Sequence, residues 1–183
     1  MKRMGYVVGL ALLGLCGRGA FGYQDLVSVT KGVVEKVDAG TKTVVVKTKD
    51  GSEKTLHFAD TAVTHGVKTA DGGTTDAARG LKKGTMVVAH YTTDAGKDTA
   101  TEFDKIGRDG MKTGKGTVSG IDRGAKTISI KTADGAEQTY ELTDNAAKDA
   151  GHDMAAGTEK GAHVTVYYTE EGGKKVAHYF EKL

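Results

Sequence analysis

The chain of 183 residues carries 27 glycines, no proline, no tryptophan and one cysteine, with 26 basic and 24 acidic side chains. These figures exclude a collagen-like repeat, a disulfide-stapled mini-domain and a strongly charged chain, and they leave an ordinary one- or two-domain protein. Glycine at about twice its usual share of roughly 7%, with proline missing, points to turns made at positive φ and hence to short strands joined by tight hairpins.

At the start of the chain, Lys2 and Arg3 precede an apolar run from Met4 to Cys16, and small residues follow up to Ala20-Phe21-Gly22. This is the pattern of a secretory signal peptide, spanning 1–22. A retained anchor needs about 20 apolar residues, and this run is shorter, with Arg18 close behind it. A lipid attached at Cys16 would want a small residue where Leu15 stands. Cleavage removes three bases and no acid, which leaves 23 bases against 24 acids, a net charge of −1 and no cysteine. The expected location is periplasmic or secreted, without a membrane span after processing. The Gly17-x-Gly19-x-x-Gly22 match to a dinucleotide fingerprint follows no strand and opens no helix, so it carries no weight.

The rest of the chain is written twice. Residues 31–60 align without gaps on 115–144 with 14 identities in 30 positions, and 76–106 align on 153–183 with 13 in 31. The length difference falls in one loop, 61–75 against 145–152, as expected of a surface connection. Two domains are expected, 23–106 and 114–183, with 107–113 as linker. In each copy a first strand with apolar residues three apart, such as Val118 and Ile121, implies a bulge. A cleanly alternating second strand follows, with Ile128 and Ile130, or Val44 and Val46, on its inner face. Asp50-Gly51 and Asp134-Gly135 signal tight primed turns into a third strand carrying Leu56 and Phe58, or Tyr140 and Leu142. After the variable loop, Asp76 to Gly84 reads as one helical turn capped by Asp76, with 153–161 as its weaker equivalent. The fourth strand places Ala162, Val164, Val166 and Tyr168 inside and His163, Thr165, Tyr167 and Thr169 outside. In the first copy Val87, Ala89 and Tyr91 are then inside, and Met86, Val88 and His90 outside. A last strand carries Ala100 and Phe103, or Ala177 and Phe180.

The fold class is therefore all-β, with one short helix per repeat, as two tandem five-stranded OB-like small barrels. Closure removes the edges that five short strands would otherwise expose. An SH3-like small barrel is the competing closure. The motifs Gly32-x-Val34-x-x-Val37-Asp38 and Gly116-x-Val118-x-x-Ile121-Asp122, each followed by Lys-Thr-[Val/Ile]-x-[Val/Ile], resemble bacterial exported small-barrel domains of unknown function. In shape they are similar to the periplasmic copper- and silver-binding CusF-like family, whose barrel carries a Trp and a Met-x-Met pair near the third strand. The corresponding stretches 50–58 and 134–142 hold no Met, and the chain has no Trp, so the resemblance implies fold and compartment.

Four serines stand outside any nucleophile elbow, and no His-Glu-x-x-His occurs, so no enzyme and no catalytic residue are expected. No cofactor motif survives. Near-neutral charge and aromatics assigned to the core argue against nucleic acid. His57, His90, His163 and His178 fall on strands and are the candidate metal ligands, although their spacing forces no convergence and a surface position is the simpler reading. With a two-residue Gly172-Gly173 turn, His178 is expected opposite Tyr167 on the outer face, and these two are the candidate ligand-face residues. The expected function is a non-enzymatic binding or structural module of the bacterial envelope, with an envelope protein or glycan as partner. The alternative is a periplasmic transition-metal-binding protein using outer-face histidines.

Overall fold

The computed structural model describes residues 27–67, 75–108, 110–147 and 160–183. The expected signal peptide lies outside the described residues, as does most of the helix expected at 153–161. The first copy comprises β1 (Ser28–Asp38), β2 (Thr43–Thr48), β3 (Glu53–His65), β4 (Thr75–Asp76), α1 (Ala77–Gly80), β5 (Met86–Asp94) and β6 (Lys97–Lys105). The second comprises β7 (Lys112–Asp122), β8 (Thr127–Lys131), β9 (Glu137–Leu142), β10 (His163–Glu171) and β11 (Lys174–Lys182).

Each copy closes on itself as an all-β, five-stranded barrel. In the first, β2–β1, β1–β5, β5–β6, β6–β3 and β3–β2 pair in a ring, with β4 added to β3. In the second the ring is β10-β11-β9-β8-β7. Only β3–β6 and β9–β11 run parallel among these pairs; the others are antiparallel. The same order in both copies is the OB arrangement expected from the repeat, and closure leaves no long edge open.

The inner faces follow the alternation. Val44, Val46, Leu56, Phe58, Val87, Ala89, Tyr91, Ala100 and Phe103 fill the first barrel. Ile128, Ile130, Tyr140, Leu142, Val164, Val166, Tyr168 and Ala177 fill the second. The first strand of each copy carries the bulge that its three-residue apolar spacing required, at Glu35 in β1 and Ser119 in β7. Turn chemistry repeats as well. Asp38 and Asp122 accept hydrogen bonds from the backbone of Thr41 and Ala125, at 3.0 and 2.9 Å. Ala95-Gly96 and Gly172-Gly173 both have two positive φ values, as a type I′ hairpin requires. The Asp-Gly turns differ from expectation. Only Gly51 and Gly135 have positive φ, and Gly51 N–H donates to Thr48 O at 3.0 Å, so each is a type I turn closed by glycine.

Two further differences matter for the site. Thr61–His65, expected within a loop, continue β3, because Ala62 and Thr64 alternate inward while Val63 and His65 pair in parallel with β6. In the second copy the chain turns earlier, into a helical turn at 144–147, where Thr143 Oγ1 accepts from Ala146 N–H at 3.0 Å.

Outer faces of the two barrels meet. Val88, Asp104 and His90 are fully buried although they point away from the first core, and Thr165 and His178 are buried outside the second. Lys31 on β1 reaches Glu181 on β11 at 2.7 Å, and its Nζ sits 5.4 Å from the centre of the Tyr167 ring. β1, β3 and β6 of one barrel thus touch β10, β11 and the 144–147 turn of the other. The glycines that let strands approach are testable. A Cβ on Gly32 would lie 2.3 Å from Lys47 O, and one on Gly116 would lie 2.5 Å from Lys131 O, while one on Gly120 would meet nothing within 4 Å. Gly32→Ala and Gly116→Ala should each destabilise the protein by about 1–3 kcal/mol in urea titrations, with Gly120→Ala within about 0.5 kcal/mol of the parent.

Candidate metal centre

The residues of the junction arrive there through two matching bulges. In β6, His90 pairs with Glu102 and Tyr91 with Ala100, so Thr101 is the extra residue. In β11, Tyr167 pairs with Tyr179 and Tyr168 with Ala177, so His178 is the extra residue. Ala177 and Phe180 both pack on the core, which leaves His178 and Tyr179 between them facing outward. This corrects the expected His178–Tyr167 pairing: the bulge shifts the register by one residue. In β6, Ala100 and Phe103 bracket outward Thr101 and Glu102, and Asp104 follows on the same outer side. The extension of β3 then brings His65 opposite Asp104.

Five side chains converge: His65, His90, Glu102 and Asp104 from the first barrel, and His178 from the second. His178 Nδ1 lies 3.2 Å from Glu102 Oε1 and 3.5 Å from Asp104 Oδ1. His65 Nε2 lies 3.7 Å from Glu102 Oε1, and the His65 and His178 rings are 4.5 Å apart. His90 Nε2 is 2.8 Å from Asp104 Oδ2, with both side chains fully buried. One ligand atom from each of His65, Glu102 and His178 lies within 4.8 Å of the others, and the same holds for His90, Glu102 and Asp104. Ligands at about 2.1 Å in a tetrahedron stand about 3.4 Å apart, so the separations of 3.2, 3.5 and 3.7 Å bracket the spacing that an ion would impose.

An outer layer fixes these groups. His178 Nε2 shares a hydrogen bond of 2.9 Å with Thr169 Oγ1, leaving Nδ1 directed at the carboxylates. Asn145 Nδ2, on the helical turn at 144–147, donates to Glu102 Oε2 and orients Oε1 toward the histidines. Asp104 Oδ1 is buried and accepts no hydrogen bond, with His178 Nδ1 standing off at 3.5 Å. Such an acceptor is costly unless something positive approaches it.

The electrostatics agree. Burial opposes a charge on His178, but the carboxylates of Asp104 and Glu102 beside it outweigh this and push the imidazole up to about 9. Burial would raise the Asp104 carboxyl, yet His178 and His90 hold it well below the usual range. His65 is pushed down, first by burial and then by the neighbouring His178.

Of the residues singled out from sequence, His90 and His178 meet in this cluster, and both are buried where surface positions were expected. The covering barrel is the reason. His163 is exposed and pairs with Thr117 Oγ1 at 3.0 Å. His57 lies on β3 opposite Thr43 and Thr99, half-buried and outside the cluster. Tyr167 is also half-buried. Its hydroxyl donates to Glu181 at 2.8 Å and its ring lies 5.6 Å from that of Tyr179, so it is a junction residue. His65, Glu102 and Asp104 were missed. The spacing of Glu102 and Asp104, two apart on one outer face, was the available signal. Among the described residues no thioether belongs to the cluster: β3 and β9 hold no Met, Met86 is exposed, and Met111 lies in the β6–β7 connection.

Among the described residues no helix is long and apolar enough to cross a membrane. No protein-family model matches the chain, and no curated protein matches it. Among solved structures, apo-CusF residues 6–88 from Escherichia coli is similar at 11% identity and TM-score 0.35, over 47% of this chain and 94% of that one. The structure of Ag(I)CusF is similar at 11% identity and TM-score 0.32, over 44% of this chain and 97% of that one. The chain therefore bears a distant likeness in fold to CusF, a small barrel, over less than half of its own length.

Proposed function

We propose that this is an exported, non-catalytic tandem-barrel protein that binds a metal ion between its two barrels. The observation that carries this reading is the convergence of His65, Glu102 and His178 to within 4.8 Å, with Asp104 Oδ1 beside them. Buried histidines are usually satisfied by a single partner. Here imidazoles from two barrels share carboxylates at ligand spacing, with Thr169 and Asn145 as the orienting shell that metal sites require. An envelope protein or glycan partner has less behind it, since the outer strand faces that could have served are turned against each other.

The test is equilibrium dialysis of chelator-treated protein against Zn(II), Cu(II) and Cu(I), with bound metal counted by mass spectrometry. One ion per chain is expected, with Kd below about 10 µM. His178→Ala and Glu102→Ala should each weaken binding by at least about 100-fold, while His163→Ala and His57→Ala leave it unchanged. Binding weaker than this for all three ions ends the reading.

Without an ion, the charge on His178 helps to hold the junction closed. An imidazole raised from about 6.5 unfolded to about 9 folded stabilises the folded form fully below pH 6.5, and this contribution is lost as pH rises toward 9. At about 1.4 kcal/mol per unit, the contribution is at most about 3 to 4 kcal/mol. The urea midpoint of metal-free protein should therefore fall between pH 6.5 and 9. His178→Gln should flatten that part of the profile, and an unchanged slope would show that His178 is not the group responsible.

A further inference from the structure

Resting on that reading, we infer that the junction selects a divalent cation of borderline softness, of the Zn(II) class, rather than the monovalent soft ions of the Cu(I) and Ag(I) class. Three independent features of the cluster point the same way.

The donor set comes first. The convergent atoms are imidazole nitrogens of His65 and His178 and carboxylate oxygens of Glu102 and Asp104. No sulfur belongs to the cluster among the described residues, and the one cysteine of the chain, Cys16, is far away in sequence at its start. Soft monovalent ions draw their affinity from thiolate and thioether ligands, whereas imidazole with carboxylate suits Zn(II), Ni(II), Co(II) and Cu(II). At the other extreme, Mg(II) and Ca(II) want six or more oxygen ligands, and two imidazoles in a dry site serve them poorly.

Charge balance comes second. Glu102 and Asp104 are 5% and 0% exposed, so their two negative charges sit almost wholly out of water. A doubly charged ion between neutral imidazoles cancels both. A singly charged ion cancels one, and the other then depends on a proton kept by His90 or His178 beside it. Glu171, which acts electrostatically on His65, adds to the negative field.

Geometry comes third. The separations of 3.2, 3.5 and 3.7 Å are close to the roughly 3.4 Å edge of a tetrahedron about an ion at about 2.1 Å, and they are too short for two ligands opposed in a line. Asp104 Oδ1, buried without a hydrogen bond, lies 3.5 Å from His178 Nδ1 and offers a further oxygen beside them. The site therefore differs in place and in chemistry from a thioether site inside a single barrel.

Co(II) loading of the full chain tests this through a readout that reports geometry and donor type. We expect the intense visible bands of tetrahedral Co(II) without thiolate charge transfer in the near ultraviolet, and stoichiometric displacement by Zn(II). A tenfold excess of Ag(I), Ca(II) or Mg(II) should leave the spectrum intact. Glu102→Gln, with folding verified by circular dichroism, should weaken Zn(II) binding at least about 10-fold. The wild-type competition decides the matter even if that variant does not fold. Displacement of Co(II) by Ag(I), or tighter binding of Cu(I) than of Zn(II), would overturn the divalent assignment and leave the metal-binding function standing. A weak octahedral spectrum displaced by Ca(II) would do the same, and absence of any bound ion would overturn both.

Discussion

Two carboxylates shut away from water set the terms for the rest of this molecule. Glu102 and Asp104 point outward from the first barrel, yet the second barrel covers them almost completely. Removing such a charge from water costs several kcal/mol unless a positive partner and hydrogen bonds replace the lost hydration. Asn145, His90 and His178 supply that replacement, and two of the three come from the second barrel. The contact between the barrels is thus more than a packing of leftover faces. It is the condition under which β6 can carry Glu102 and Asp104 at all.

The two barrels share one strand order, and their side chains differ where they meet. The outer faces of both fifth strands lie at the junction, and both bear a bulge at the equivalent position, Thr101 and His178. Around that shared backbone the side chains part company. Glu102 is matched by Tyr179, Asp104 by Glu181, and His90 by Tyr167. The second copy thereby offers an aromatic pair with Glu181, which meets Lys31 of the first, while the first also offers acid and imidazole. A symmetric face would have placed like charges against like. The divergence puts the imidazole of one copy against the carboxylates of the other.

The barrels were legible because their determinants are local: period-two alternation in β2, β5, β8 and β10, Gly-containing turns, and a three-residue apolar interval that demands a bulge. The site was only half legible. His90 and His178 were visible as titratable residues on outer faces, but nothing local says that a face will be covered by another domain. His65 was hidden by a segment that resembles a loop and is held as strand by parallel pairing with β6, a contact distant in sequence. Glu102 and Asp104 looked like ordinary surface acids. The His178 register failed for a different reason: hairpin counting assumes an unbroken ladder, and one extra residue moves every later partner by a step.

The short run from Ile106 to Met111, buried at both ends, joins β6 directly to β7. A tether of this kind holds the two faces at an effective concentration on the order of millimolar or above, so most of the entropic cost of bringing two bodies together is met by covalent connection. Two separate barrels would need a large apolar interface to stay associated at cellular concentrations. These two do not, and that frees the contact from having to be sticky. A junction relieved of adhesion can keep charged, incompletely satisfied groups at its centre, the kind of surface that free association would select against and that ion recognition requires.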